Sequence, residues 1–191
     1  MGVVIVAGPS GAGKSHLAAR LGWTVLRLDD FYRDADEAGM PRSSLGIVDW
    51  DDVATWNAVA AVDAIKALCD IGVAEVPVYD IAASARTGAR TLTRSGDRFI
   101  AEGLFAPAIV DASRTAGMLD AAICLRRNRM VTFGLRLARD LHEGRKSPLV
   151  LVRRGWRLML DEPRLVADAV AHGCQVMTPR QARKMLLALG S

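Results

Sequence analysis

The sequence predicts an α/β fold with a mainly parallel sheet, and three observations carry that expectation. Short valine- and isoleucine-rich runs alternate along the chain with stretches whose apolar residues recur at helical spacing. The first run, Gly2–Ala7, is continuously apolar rather than alternating, as in a strand buried on both faces. A glycine-rich turn then leads straight into a helical pattern, the strand–turn–helix order of parallel sheets. With 191 residues, 51% of them hydrophobic, the chain can bury one real core, and we read residues 1–191 as a single domain. Disorder as the main state is excluded by the same composition.

Each element follows from its own pattern. Lys14–Leu21 has helical spacing, and Thr24–Leu28 reads as a second strand running into the acidic pair Asp29 and Asp30. Arg33–Leu45 is polar and carries Gly39 and Pro41, so it reads as loop. Val53–Cys69 repeats small and aliphatic residues as a helix does, and Ala74–Tyr79 is strand-like. Ser84–Asp97 is a basic, glycine-dotted excursion. Arg98–Ala101 and Ala121–Leu125 are further strands, with a helix over Pro107–Ala116 between them. Helical spacing returns over Met130–Leu141, breaks at His142–Pro148 and resumes over Leu149–Leu160. The last helix is Pro179–Leu189, with proline in its first turn.

Composition excludes several classes of function. No stretch approaches the roughly 20 apolar residues of a membrane span. The N-terminal MGVVIVAGPS lacks a basic lead-in and reaches glycine after five apolar residues, unlike a secretory leader. Cys69, Cys124 and Cys174 are odd in number and widely spaced, which argues against a disulfide framework or zinc site and for a reducing cytoplasm. His16, His142 and His172 show no metal spacing. Net charge is +4 but uneven: residues 1–120 hold 16 acids and 11 bases, residues 121–191 hold 5 acids and 14 bases. A basic part facing an acidic part suits an anionic ligand gripped between them.

The sharpest signal names that anion. Gly8, Pro9, Ser10, Gly11, Ala12, Gly13, Lys14 and Ser15 satisfy GxxxxGK(S/T). Glycines let backbone N–H groups curl around phosphate oxygens, and the helix that follows presents its positive end. Lys14 reaches the β- and γ-phosphates and Ser15 offers a hydroxyl to Mg²⁺. ATP and Mg²⁺ are therefore the expected co-substrate and cofactor. A guanine-reading NKxD motif is absent from the sequence.

Beyond the cradle lies what reads as an acceptor side. Asp29 and Asp30 end the second strand, expected to neighbour the first, at the edge where open α/β sheets bind ligands. A carboxylate there suits a base that takes the proton of a substrate hydroxyl. Asp51 stands between Trp50 and Trp56, a carboxylate among aromatics, and Glu102 follows an apolar strand at the same sheet edge.

With these segments in order, the chain resembles the phosphoribulokinase/uridine kinase group of P-loop kinases, and uridine kinases most of all. GPSGAGKS is similar to the group's phosphate loop. LDDFY, ending at Tyr32, resembles its DxFY segment, and the resemblance implies that Asp29 is the catalytic base. WDDVATW resembles the FDHPDAF stretch, implying that Asp51 grips ribose hydroxyls. VPVYD resembles PVYDF, implying that Tyr79 lies against the base, and IAEG resembles the EG motif, implying that Glu102 sits near Mg²⁺. Arg136, Arg139 and Arg145 are similar to the RxxRD…R lid helix. Their implied role is to close over the triphosphate and stabilise charge, Arg136 reaching toward the substrate, within a helical, arginine-rich lid of about residues 136–150. Where uridine enzymes carry a histidine after PVYDF, this chain has Ser84.

The implied activity is phosphoryl transfer from ATP to a hydroxyl of a nucleoside, uridine-like. Another small hydroxyl compound, pantothenate-like or a sugar phosphate, stays open, as does a non-catalytic ATP-binding regulatory module. Membrane and nucleic acid are not expected partners; a homo-oligomer is left open.

Overall fold

The computed structural model describes residues 1–9, 11–43, 46–128, 130–132, 134 and 162–189. Five strands form an all-parallel sheet among the described residues: β1 (Gly2–Ala7), β2 (Thr24–Arg27), β5 (Arg98–Glu102), β6 (Leu119–Leu125) and β7 (Gln175–Met177), in the order β2-β5-β1-β6-β7. Two more, β3 (Val73–Asp80) and β4 (Ala85–Thr93), pair antiparallel as a separate hairpin. Among the described residues the longer helices are α1 (Lys14–Leu21), α2 (Ala58–Asp70), α3 (Val110–Thr115), α4 (residues 162–171) and α5 (Pro179–Leu189).

Every residue of β1 is buried because both faces of the sheet are covered. Val3, Ile5 and Ala7 point into a core built with α2, α3 and α4, where Ala61, Ile65, Leu68, Val110 and Ala169 are buried. Val4 and Val6 point the other way, onto Leu17 and Ala18 of α1 and Ala182 and Leu186 of α5. This three-layer sandwich is the predicted α/β class with its continuous first strand explained. None of the helices among the described residues is long and apolar enough to cross a membrane.

Several expectations change in detail. β2 does not neighbour β1; β5 lies between them, with Glu102 in register with Val6 on one side and Arg27 on the other. The helix expected from Val53 is a 3₁₀ turn at Val53–Thr55, and α2 starts at Ala58 because the Asn57 side chain caps it by accepting from the Ala60 N–H. The excursion after Ser84 contains β4, a strand whose residues are mostly exposed and which therefore lacks an apolar alternation to read. Helix α4 and strand β7 went unpredicted; of the helices expected over Met130–Leu141 and Leu149–Leu160, residues 130–132 and 134 are helical and the rest lie outside the described residues.

Candidate phosphotransfer site

The cradle forms where β1 ends. Gly8 has φ 133, a left-handed-side conformation, and a Cβ built there would lie 2.5 Å from the carbonyl oxygen of Leu125 on β6, so only glycine passes. Gly13 caps α1 in the left-handed region without any side-chain bond to the first-turn amides, and the first turn holds no acid. The helix end thus keeps its amides and positive dipole for an anion. Lys14 Nζ donates to the carbonyls of Gly8 at 2.7 Å and Pro9 at 3.4 Å, folding the ammonium onto the loop it serves.

Strand β5 links the cradle to the acceptor side. At its end, Glu102 Oε1 accepts from the Ser15 hydroxyl at 2.9 Å. Two residues on, the Leu104 N–H donates to Asp29 Oδ1 at 2.9 Å. The insertion of β5 between β1 and β2 therefore brings the phosphate-loop serine, a carboxylate and the predicted base to one stretch of three residues. Asp29 is exposed on the 3₁₀ turn Leu28–Phe31, whereas Asp30 beside it is buried. That turn is anchored by the buried Trp56, whose indole N–H donates to the Leu28 carbonyl at 2.7 Å, so Trp56 is structural.

Ser15 and Glu102 fit a hard cation: a hydroxyl and a carboxylate in contact beside a phosphate cradle. No cluster of three or more His, Cys, Asp or Glu suited to a metal occurs among the described residues.

Asp51 and Tyr79 converge on a residue that motif reading left without a role, Tyr32. Its ring lies 5.7 Å from Trp50, 5.8 Å from Tyr79 and 5.8 Å from Phe105, an aromatic box. Burial pushes the Tyr32 phenol well above its ordinary range, and the charges of Asp29 and Asp51 push it the same way. Asp51 itself is exposed, on a turn where its N–H donates to Asp49 Oδ1 at 3.3 Å. Tyr79 is half-buried, and its hydroxyl donates to the Arg33 carbonyl at 3.3 Å. The signal for Tyr32 was in the sequence: an aromatic directly after the acidic turn.

Ser84, at the substituted position, has φ 51 and turns its hydroxyl back to the Ile81 carbonyl at 3.4 Å. A charge cluster closes this side: Arg86 pairs with Asp34 at 3.0 Å and with Glu37 at 2.6 Å, and Arg33 pairs with Glu37 at 2.9 Å. Beside the cradle, α1 and α5 border an open groove of about 710 Å³ lined by His16, Leu17, Arg127, Pro179 and Gln181 among others. The Arg127 guanidinium reaches within 3.8 Å of where a Gly13 side chain would start. Sequence reasoning missed this groove because its walls come from segments far apart in the chain. Ser10 and the lid arginines Arg136, Arg139 and Arg145 lie outside the described residues.

The fold defines a class: an α/β P-loop fold. No protein-family model matches the chain. It is 26% identical over 145 residues to a uridine kinase of Clostridium botulinum (strain Kyoto / Type A2), covering 72% of this chain and 68% of the relative. Among solved structures it is similar to a protein of Silicibacter sp. TM1040, provisionally assigned as a fructose transport system kinase. The TM-score is 0.61 at 17% identity, over 93% of this chain and 87% of the other. The resemblance to the uridine kinase-like group of P-loop kinases is thus borne out; the curated relative supports a small-molecule kinase, and the solved neighbour supports the fold.

Proposed function

We propose that this chain is an ATP-dependent kinase that transfers the γ-phosphate to a hydroxyl of a neutral, ring-bearing small molecule, a uridine-like nucleoside first among them. The observation that carries this reading is the β5 end, where Glu102 accepts from Ser15 and the Leu104 amide holds Asp29. These contacts support a phosphate site and a base sharing one sheet edge, as phosphoryl transfer needs.

In this reading the loop amides from Gly8 to Gly13 and Lys14 bind the triphosphate, and the α1–α5 groove takes the rest of the nucleotide. Ser15 and Glu102 would hold Mg²⁺, which when bound neutralises charge on the phosphate oxygens. Asp29 orients the acceptor hydroxyl and takes its proton. The hydroxyl oxygen forms a bond to the γ-phosphorus, the bond to the bridging β,γ-oxygen breaks, and ADP leaves. Asp51 hydrogen-bonds acceptor hydroxyls while the box of Tyr32, Trp50, Tyr79 and Phe105 receives a flat ring. Arg139 and Arg145 are assigned to the charge that develops on the phosphates, and Arg136 to the substrate.

Among the described residues, one observation favours a neutral acceptor over a sugar phosphate. Arg33 and Arg86 are taken up by Asp34 and Glu37, and Arg90 lies 3.7 Å from Asp30, so each is engaged by a carboxylate.

The test is ADP release with ATP and Mg²⁺ across a panel of nucleosides, pantothenate and sugars. One acceptor should stimulate release, with turnover on the order of 1–100 per second. Asp29→Asn should lower that turnover about a hundredfold or more while nucleotide binding persists. An unchanged rate in Asp29→Asn refutes the assigned base. Steeply salt-dependent nucleic-acid binding with no acceptor stimulation favours a regulatory module instead.

A further inference from the structure

Asp30 has no part in the chemistry above, yet it is the member of the acidic pair that the fold buries, keeping 7% of its surface. Its two oxygens face arginines from different elements. Oδ1 lies 3.8 Å from Arg27 at the end of β2, and Oδ2 lies 3.7 Å from Arg90 in β4. Burial raises the proton affinity of this carboxyl, with Asp29 adding to the rise, while Arg27 and Arg90 oppose it. A desolvated charge flanked at nearly 4 Å is a weak source of net stability, and in some proteins such pairs instead fix one arrangement of neighbouring elements.

The elements concerned are the two halves of the acceptor side. The β3–β4 hairpin is a sheet of its own, outside the parallel sheet, and it carries Tyr79 and Arg86. The turn Leu28–Phe31 carries Asp29. Polar links join the hairpin to the turn and the loop after it: Arg90 to Asp30, Arg86 to Asp34 and Glu37, the Tyr79 hydroxyl to the Arg33 carbonyl, and the Ala35 N–H to the Ser84 carbonyl. Of these, only Arg90–Asp30 reaches the turn of the base itself.

We propose that Asp30 is a positioning residue, whose charge ties the β3–β4 hairpin to the catalytic turn so that Tyr79 and the Asp29 carboxylate meet an acceptor in one fixed relation. The inference rests on the phosphotransfer role assigned to Asp29 and adds a residue outside the motif positions that suggested it.

The test uses the full chain with Asp30→Asn, Arg90→Gln and the double variant, read by acceptor-stimulated ADP release and by backbone hydrogen exchange. Each single variant should lower kcat about tenfold with the KM for ATP unchanged within twofold. The double variant should fall no lower than the worse single one, because both break the same link. The acid limb of the kcat profile supplies a readout that a merely structural role leaves in place. Wild-type Asp30 loses its charge at a higher pH than an ordinary aspartate, so its link fails as pH falls; in Asp30→Asn the acid limb becomes shallower and moves to lower pH. The groups facing Asp30 in this titration are Asp29, Arg27 and Arg90. Exchange in residues 28–32 and 85–93 should rise in both single variants. Should Asp30→Asn not fold, the partly exposed Arg90→Gln carries the test. Unchanged kcat and exchange in folded Arg90→Gln, or losses that multiply in the double variant, overturn the inference. A wild type that no acceptor stimulates defeats the kinase reading, and the exchange measurement then decides the link alone.

Discussion

Replacing Gly103 with alanine tests whether the rate depends on where Asp29 sits. A Cβ at position 103 would lie 2.7 Å from Leu28 Cβ, 2.9 Å from Asp29 Oδ1 and 3.3 Å from the Asp29 nitrogen, where ordinary contacts begin near 3.4 Å. Gly103 is not in the left-handed region, so alanine brings no backbone strain of its own. Leu28 is fully buried in the core and has nowhere to go, whereas Asp29 is exposed. No rotation of the Leu28 side chain relieves the contact at its Cβ, so the turn that carries Asp29 must shift by roughly half an ångström, and the 2.9 Å bond from the Leu104 N–H to Asp29 lengthens or breaks. If a 1 Å misplacement at a reacting group costs about 100-fold, half of that predicts a kcat roughly tenfold lower, together with about 1–3 kcal/mol of overpacking. The KM for ATP should stay near wild type, since the cradle is untouched. Steady-state ADP release and a urea melt measure the two effects separately. Adding Asp29→Asn to Gly103→Ala should cost nothing beyond Asp29→Asn alone. A folded Gly103→Ala enzyme with kcat within twofold of wild type would refute the argument that this contact positions the base.

Other expectations are more direct. Glu102→Gln keeps the shape of the Ser15 contact but removes the charge, so the Mg²⁺ concentration for half-maximal rate should rise about 10–100-fold, read from a metal titration of the rate. Hydrogen bonds from Arg86 hold Asp34 below the ordinary carboxylate value of 3.8, and those from Arg33 and the Asp34 amide hold Glu37 below 4.5. Lowered folded values mean that this clamp contributes in full above the ordinary values and is lost as pH falls through the lowered ones. The stability gap between wild type and Arg86→Gln should therefore be constant near neutrality and shrink in acid, as denaturant melts across pH would record. Cys69, Cys124 and Cys174 are free and buried, and burial pushes their thiols up, Cys174 to about 12. The native protein should leave an aromatic disulfide reagent unreacted near pH 8, with all three thiols appearing on unfolding.

What could be read from the chain in advance was whatever depends on neighbours in sequence. Gly2–Ala7, Lys14–Leu21 and Pro179–Leu189 fall on their predicted spans because a continuous apolar run, a glycine-rich entry and a proline in the first turn are local signals. The contact of Ser15 with Glu102 joins residues 87 positions apart, and it became legible only through family motifs. Arg127 escaped, since its significance is created by the packing of α1 on α5. Strand β4 escaped for a different reason: Arg86, Thr87, Arg90 and Thr91 leave no buried face, and its pairing is dictated by β3. Strand order was inaccessible for the same cause, because β5 divides β1 from β2 through a register that no local pattern encodes.

Charge then separates the two substrates. A kinase of this design must hold a polyanionic donor close to a carboxylate base, and the molecule divides the task. Arg20, Arg127, Arg180 and Arg183 line the groove beside the cradle, while Asp29 and Asp51 stand around the aromatic box. An acceptor that brought its own phosphate within about 4 Å of one of those carboxylates would meet a repulsion of about 1 kcal/mol in water and about 4 kcal/mol at the effective dielectric near a protein surface. That corresponds to roughly 5-fold to 1000-fold weaker binding than the dephosphorylated compound. A competition series pairing each accepted alcohol with its phosphate ester should therefore rank every ester below its parent, and more steeply at low salt. An ester that bound better than its parent would mean that a cation reaches the acceptor side, and the neutral-acceptor reading would fall while the phosphate cradle and the base kept their roles.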